Sequence, residues 1–244
     1  MMKFLADLHI HTISSGHAYS TVLENARAAA DKGLEMIGIT DHGPAMPGAP
    51  HIYHFGNLRI LPDELFGVRI LKGVEANIID RAGNLDLPID RLAPLDIVLA
   101  GLHNICAPYG SVGENTEMMI NALKNPWVDV LVHPGNPEYL IDAEAVVQAA
   151  VEYDVAIEIN NSSLKLSRMG SRPYCEKILG LAKEYKAKII VGTDSHFALS
   201  VGNFSEAIAL LEEYEVDPSA ILNTSIANIE KHLARRSNRK KPKI

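Results

Sequence analysis

Six short stretches carry most of the residues in this chain that can bind a metal ion. The first, Asp7-Leu8-His9-Ile10-His11-Thr12, holds a His-x-His pair. On a strand the side chains alternate with a period of two, so Asp7, His9 and His11 are expected to point the same way. Two imidazoles on one face can share one ion. The same residue types recur in Thr40-Asp41-His42-Gly43, Gly73-Val74-Glu75-Ala76-Asn77, Gly101-Leu102-His103, Val132-His133-Pro134-Gly135-Asn136 and Gly192-Thr193-Asp194-Ser195-His196. With His17, the candidate ligands are His9, His11, His17, His42, Glu75, His103, His133, Asp194 and His196. Imidazole and carboxylate suit zinc, manganese or iron, and the lack of thiolate argues against a structural zinc finger. One ion takes roughly four ligands, so this set implies about two or three ions. Clustered ions polarise a phosphoryl oxygen and lower the pKa of bound water toward roughly 7. Such a site is strongly positive and favours an anionic substrate, most simply a phosphate ester.

The elements that position these residues emerge from the hydrophobic pattern. Apolar runs at 36–40, 68–74, 96–102, 128–132, 156–159 and 188–192 read as strands, and each leads into a polar or metal-ligating residue. Helical patterns fall at 20–32, with Ser20 as N-cap and Gly33 as terminator, and at 88–92, 114–123, 143–152, 173–185, 204–214 and 225–234. Strand and helix alternate with short links, which predicts parallel strands with right-handed crossovers. The expected fold is α/β, a distorted TIM-like (β/α)7 barrel in a single domain over 1–244. In such barrels the chemistry lies on loops at the C-terminal ends of the strands, where the histidines fall. An open doubly wound sheet would place its ligand at one switch point. The Pro/Gly-rich stretch 44–50 excludes regular structure. Its continuation, His51-Ile52-Tyr53-His54-Phe55, reads as a lid or as a plain polar loop.

Composition bounds the rest. The 244 residues are 47% hydrophobic and 22% charged, an ordinary globular balance for one large domain. A net charge of -7 argues against nonspecific nucleic-acid binding by the whole surface. Cys106 and Cys175 make no disulfide framework, are expected to be inert, and point to a reducing, cytoplasmic setting. No apolar run approaches the roughly 18 residues of a membrane span, and no secretory signal is visible. The basic run at about 235–244 is expected to be a mobile tail, and nucleic acid at that tail is not favoured.

The ordered motifs from Asp7 to about Asn223 resemble those of the PHP (polymerase and histidinol phosphatase) superfamily, in particular its small stand-alone bacterial branch of zinc-dependent phosphatases or hydrolases. Asp41-His42-Gly43-Pro44, His133-Pro134-Gly135-Asn136-Pro137 and Glu158-Ile159-Asn160-Asn161-Ser162-Ser163 belong to the same likeness. The resemblance implies a distorted seven-stranded barrel and a trinuclear cluster. His9, His11, Glu75 and Asp194 would hold one ion. A bridging Glu75 with His103 and His133 would hold a second, and His17, His42 and His196 a third. Every position carries the expected residue type.

The reading is a metal-dependent phosphoesterase that hydrolyses phosphate monoesters through a metal-bound hydroxide, with Asp194, His196 and Glu75 at the catalytic centre. Its cofactors are three divalent ions, zinc first, with manganese or iron as alternatives. Its partner is a small phosphorylated substrate, and a homo-oligomer stays open. Arg59, Arg168, Asn161, Asn136 and His54 are candidates for substrate binding, each weighed against a surface or turn role. Asp7 and Asp41 either orient a ligand histidine or cap a loop. His232, on a late charged helix, is expected to be exposed. The rivals are a phosphodiesterase or oligonucleotide hydrolase of the same superfamily, a metal-dependent amide hydrolase, and a non-catalytic scaffold domain.

Overall fold

In a computed structural model, residues 2–165 and 167–235 are described. The first half of the chain forms β1 (Ala6–Ile10), α1 (Val22–Asp31), β2 (Met36–Ile39), α2 (Tyr53–Asn57), β3 (Glu64–Leu65), β4 (Val68–Asn77), α3 (Ile89–Leu92) and β5 (Ile97–Gly101). The second half forms α4 (Val112–Leu123), β6 (Val130–Leu131), α5 (Ala143–Glu152), β7 (Ala156–Asn160), α6 (Arg172–Glu184), β8 (Ile189–Gly192), α7 (Ser205–Glu213) and α8 (Ile226–Ala234). Seven strands pair in parallel in the order β1-β2-β4-β5-β6-β7-β8. This is the expected (β/α)7 barrel. The two-residue β3, which pairs antiparallel with β4, is an addition to that pattern, as is the short α2.

The barrel closes where β1 meets the segment after β8. The carbonyl of Ser195 accepts from the His11 N–H at 2.9 Å, and Ile10 and Ser195 form a parallel bridge. Toward the other end, Asn223 replaces a strand residue. Its amide donates to the carbonyls of Ala6 and Val191, and its oxygen accepts from the Val191 N–H. Alternation along the strands divides the apolar residues between two cores. Leu8, Met36, Leu71, Leu99, Val130 and Ile190 fill the barrel interior with Leu222 and Ile229. Ile37, Val74, Val98, Leu131, Ile157 and Val191 pack outward against the helices.

One register shift decides where the first histidines go. Asp7 pairs with Ile37 and Ile10 with Ile39, so three steps on β1 match two on β2. An extra residue in one strand is a bulge, and it reverses the facing of the residues beyond it. Ala6 and Leu8 face inward before it, and Ile10 packs outward past it. His9 and His11 therefore point into the barrel, while Asp7 falls on the other face. The expectation that all three share a face is corrected by this bulge.

Local signals account for the helices. Thr21 with Glu24 and Ser111 with Glu114 form capping boxes at α1 and α4, and Asp142 caps α5. The cap of α1 is thus Thr21 and not Ser20. The Ser20 hydroxyl instead accepts from the Ala198 N–H, tying the first loop to the last. β4 continues past the expected end because it pairs with β2 over its first half and with β5 over its second. Glu75 consequently sits within a strand. Among the described residues no helix is long and apolar enough to cross a membrane. The basic run from Arg236 onward lies outside the described residues.

Candidate metal centre

Glu75 is fully buried, and its two oxygens face five imidazoles. Oε1 lies 2.7 Å from Nε2 of His133 and 3.1 Å from Nε2 of His103. Oε2 lies 2.8 Å from Nδ1 of His42 and 3.4 Å from Nε2 of both His9 and His11. Asp194 closes the other side, with Oδ1 at 3.1 Å from His11 Nε2, 3.5 Å from His9 Nε2 and 3.7 Å from His196 Nδ1. His17 lies at the exposed rim, its ring stacked 5.1 Å from that of His42 and tilted 4.8 Å from that of His196. All nine candidate ligands are thus brought together. Three sets place their ligand atoms within 4.8 Å of one another: His9, His11 and Glu75; His42, Glu75 and His103; His11, His42 and His196.

The surrounding hydrogen bonds select the ring nitrogens that face the centre. His9 donates from Nδ1 to Oε1 of Glu158 at 2.7 Å, which leaves Nε2 toward Glu75 and Asp194. His11 turns Nδ1 toward the Ser15 hydroxyl at 3.2 Å, and His196 donates from Nδ1 to the Asp194 carbonyl at 3.0 Å. At the centre, His9 Nε2, His42 Nδ1, Glu75 Oε2 and both nitrogens of His103 are buried without a hydrogen-bond partner. Such orphaned groups are costly unless something satisfies them. Bound cations would do so, and the donor set of imidazole and carboxylate fits them. Burial alone would raise Glu75 and Asp194, but His42 beside the first and His9 and Arg168 beside the second hold both well below the usual carboxylate range. Burial pushes His11 and His133 down to about 3, the neutral form a ligand needs. For His9, burial is outweighed by Glu158, Glu75 and Asp194, which raise it well above its ordinary value. The space between those carboxylates calls for positive charge.

Two aspartates hold the loops by different means. Asp41 accepts from the Thr12 N–H at 2.7 Å, the Thr12 hydroxyl at 2.8 Å and the Ser15 hydroxyl at 2.6 Å. Burial works against its charge, yet these donors and His54 hold it at about 2. Ser15 in turn stands beside His11 and accepts from the His42 N–H, so Asp41 orients ligands through an intermediary. Asp7 accepts from the Thr193 N–H and hydroxyl and from the Gly202 N–H, which makes it an anchor for the Asp194 loop; burial raises it to about 6. Two of the candidate ligands adopt strained left-handed backbone, with φ of 35° at His133 and 54° at Asp194.

The remaining candidates divide. Arg168 reaches the centre, with Nη1 at 3.0 Å from Asp194 Oδ2. Asn161 instead caps α7, its oxygen accepting from the Glu206 and Ala207 N–H groups. Asn136 belongs to a turn, accepting from the Glu138 N–H. His54 stands 3.5 Å from Asp41 Oδ2, while Arg59 and His51 are exposed near α2. His232 is 4% exposed, contrary to expectation, and its Nε2 lies 2.9 Å from the Asp129 carbonyl. Cys106 and Cys175 are free thiols pushed up to about 12 by burial, which keeps them from forming reactive thiolate. Sequence reasoning gave no role to Glu158, Asn160 or Ser15. For Glu158 a signal existed, since it alternates with Ile157 and Ile159 on a strand whose two faces are both buried.

Comparison with known proteins gives a consistent result. The PHP domain profile matches residues 7–233. A protein of Caldanaerobacter subterraneus subsp. tengcongensis named a probable phosphatase is 52% identical over 239 residues, spanning 98% of this chain and 94% of its own. Another of that name, from Acetivibrio thermocellus, is 50% identical over 238 residues and 98% of each chain. Among solved structures, the histidinol phosphate phosphatase of Lactococcus lactis subsp. lactis, complexed with zinc, L-histidinol and phosphate, matches with a TM-score of 0.51. That match has 16% identity and covers 85% of this chain and 92% of that one. A chain in a structure of archaeal ribonuclease P with mature tRNA matches with a TM-score of 0.59 at 16% identity, covering 96% and 91%. These structural likenesses bear on the fold alone.

Proposed function

The chain belongs to the PHP domain family, and from that premise we propose that it is a metal-dependent phosphatase that hydrolyses small phosphate monoesters at a three-ion centre. The observation that carries this reading is Glu75, fully buried with five imidazole nitrogens 2.7–3.4 Å from its two oxygens. His9, His11, Glu75 and Asp194 would hold one ion, Glu75 with His103 and His133 a second, and His17, His42 and His196 a third. Zinc is the first choice, with manganese and iron as alternatives. When bound, such ions supply Lewis acidity toward phosphoryl oxygens and lower the pKa of water.

The chain's own residues contribute binding, orientation and exclusion of water. Arg168, held by Asp194 and the Ser163 hydroxyl, keeps further N–H donors for a phosphate oxygen at the mouth. Its charge stabilises the phosphoryl group as negative charge develops. Glu158 and the Asp41–Ser15 pair keep the imidazoles in one orientation, so little reorganisation accompanies the reaction. The barrel interior below the ligands is apolar, which confines water to the open end.

Phosphate release by zinc- or manganese-loaded protein over a panel of monoesters and diesters tests the reading, with Asp194→Asn and His196→Ala as controls. Monoester turnover that disappears in the controls and with chelator is expected. Cleavage of diesters alone would transfer the assignment to a phosphodiesterase. No turnover with any metal would sink the enzyme reading.

A further inference from the structure

A concentration of positive charge lies beside α2, apart from the candidate metal ligands. A cleft of about 500 Å³ there is lined by Tyr53, His54, Gly56, Asn57, Arg59 and Arg91. Arg91 comes from α3 and brings its Nη1 to 3.8 Å from where a Cβ on Gly56 would stand. Among the described residues neither guanidinium forms a close ion pair. Among the described residues Arg59 makes no ion pair and no side-chain hydrogen bond. Among those residues Arg91 reaches only Asp90, at 3.9 Å, and its buried Nε has no hydrogen-bond partner.

That arrangement departs from the rest of a chain whose net charge is -7. Among the described residues no carboxylate lines the cleft. Two arginines at one concavity repel each other, and a buried N–H without an acceptor is costly. Both penalties vanish when an anion enters, because the guanidinium fork matches the oxygens of phosphate or carboxylate. The asparagine amide of Asn57 adds a neutral donor beside them. The cleft also adjoins the catalytic end of the barrel. His54, one of its walls, stands 3.5 Å from Asp41, and the Ser15 hydroxyl links Asp41 to His11 and to the backbone of His42.

We propose that this cleft is a second anion-binding site, taking a phosphate or carboxylate group on Arg59 and Arg91. Two sources supply such a group: the far end of a substrate whose scissile phosphate sits at the metal centre, or a separate small anion. The first source deepens the phosphatase reading by making the substrate at least doubly anionic, and in that respect rests on it. The site itself does not.

Equilibrium dialysis of radiolabelled inorganic phosphate against the zinc-loaded full chain counts the sites. Two classes of site are expected in the wild type and one in Arg91→Glu, with bound zinc unchanged. Arg59→Ala, at an exposed side chain without partners, should lose the same class and guards against a folding artefact in the first variant. Equal stoichiometry in all three proteins overturns the proposal. Kinetics then separate the sources. If the substrate spans both sites, a sugar bisphosphate has a lower KM than p-nitrophenyl phosphate, and Arg91→Glu narrows that advantage by about tenfold without a matching change in kcat. If the occupant is separate, added citrate alters p-nitrophenyl phosphate turnover in the wild type and not in Arg91→Glu. Absence of phosphate release from every ester would remove the phosphatase reading and leave the site count standing.

Discussion

His9 donates from Nδ1 to Oε1 of Glu158 at 2.7 Å, across the interior from one strand to another. The other oxygen of Glu158 accepts from the His133 N–H at 2.9 Å and the Asn160 amide at 3.1 Å. One carboxylate thus orients candidate ligands on β1 and after β6. Partners of this kind typically change metal affinity about 10- to 100-fold when removed. Glu158→Ala should lose affinity by that amount while keeping the circular dichroism of the barrel. Zinc retention across a chelator series measures it, and wild-type retention would show that Glu158 has no orienting role.

Gly192 supplies the room for that bond. A Cβ there would stand 2.0 Å from Glu158 Oε1 and 2.7 Å from His9 Cβ. Neither buried group has space to retreat, so Gly192→Ala should cost about 1–3 kcal/mol, as overpacking does. It should also lower zinc content. Gly180, inside α6, is the matched control because a Cβ there meets nothing within 4 Å. Gly180→Ala is expected to stabilise by about 0.5–1 kcal/mol. Urea midpoints moving in the same direction for both variants would contradict this account.

Ser15 is the joint between Asp41 and two candidate ligands. Its hydroxyl donates to Asp41 at 2.6 Å, accepts from the His42 N–H at 3.2 Å and lies 3.2 Å from His11 Nδ1. Ser15→Ala leaves three buried groups short of one partner, which should destabilise by about 1–3 kcal/mol. Because His11 loses its orienting contact, metal affinity should fall as well. Ser15→Cys, which keeps a weak donor, should recover part of the affinity. Thermal unfolding with and without zinc separates the two effects, because weaker binding makes the loss larger with zinc, and an equal loss in both conditions would confine Ser15 to stability.

The sequence makes the barrel and the cluster of candidate ligands legible because both arise from alternation. Apolar strands buried on two faces read as continuous runs, and a histidine or acid at their ends has few explanations other than a site. Alternation also explains the failures. The bulge in β1 leaves no mark in residue type, so Asp7 reads as one of a set with His9 and His11 although it faces Thr193. Glu158 lies inside β7, away from the strand ends where the ligand types gather, so its charge between two buried isoleucines is the one local sign of a role. Asn161 looks like a ligand for phosphate in one dimension, but only the fold shows α7 waiting above it. His232 sits among Glu230, Lys231 and Arg235, and local charge conceals that its ring turns under β6.

That buried His232 makes acid stability a test of the fold rather than of the metal centre. Burial, reinforced by Arg235 and Lys188, pushes its imidazole down to about 3, against the opposing hydrogen bond to the Asp129 carbonyl. In the unfolded chain a histidine titrates near about 6.5. Above that pH both states are neutral, and His232 adds no pH dependence. Between about 6.5 and 3 only the unfolded chain takes up the proton, so stability falls as pH is lowered. At pH 5 the loss from this one group is about 2 kcal/mol relative to pH 7. His232→Gln keeps a donor for the Asp129 carbonyl and removes the titration. Its stability should therefore fall less than the wild type's between pH 7 and pH 5, when both are measured by urea unfolding of chelator-treated protein. Chelation matters because metal binding is itself pH-dependent and would add its own change over that range. Parallel losses in the two proteins would mean that His232 is protonated in the fold and that its burial is relieved before the barrel opens.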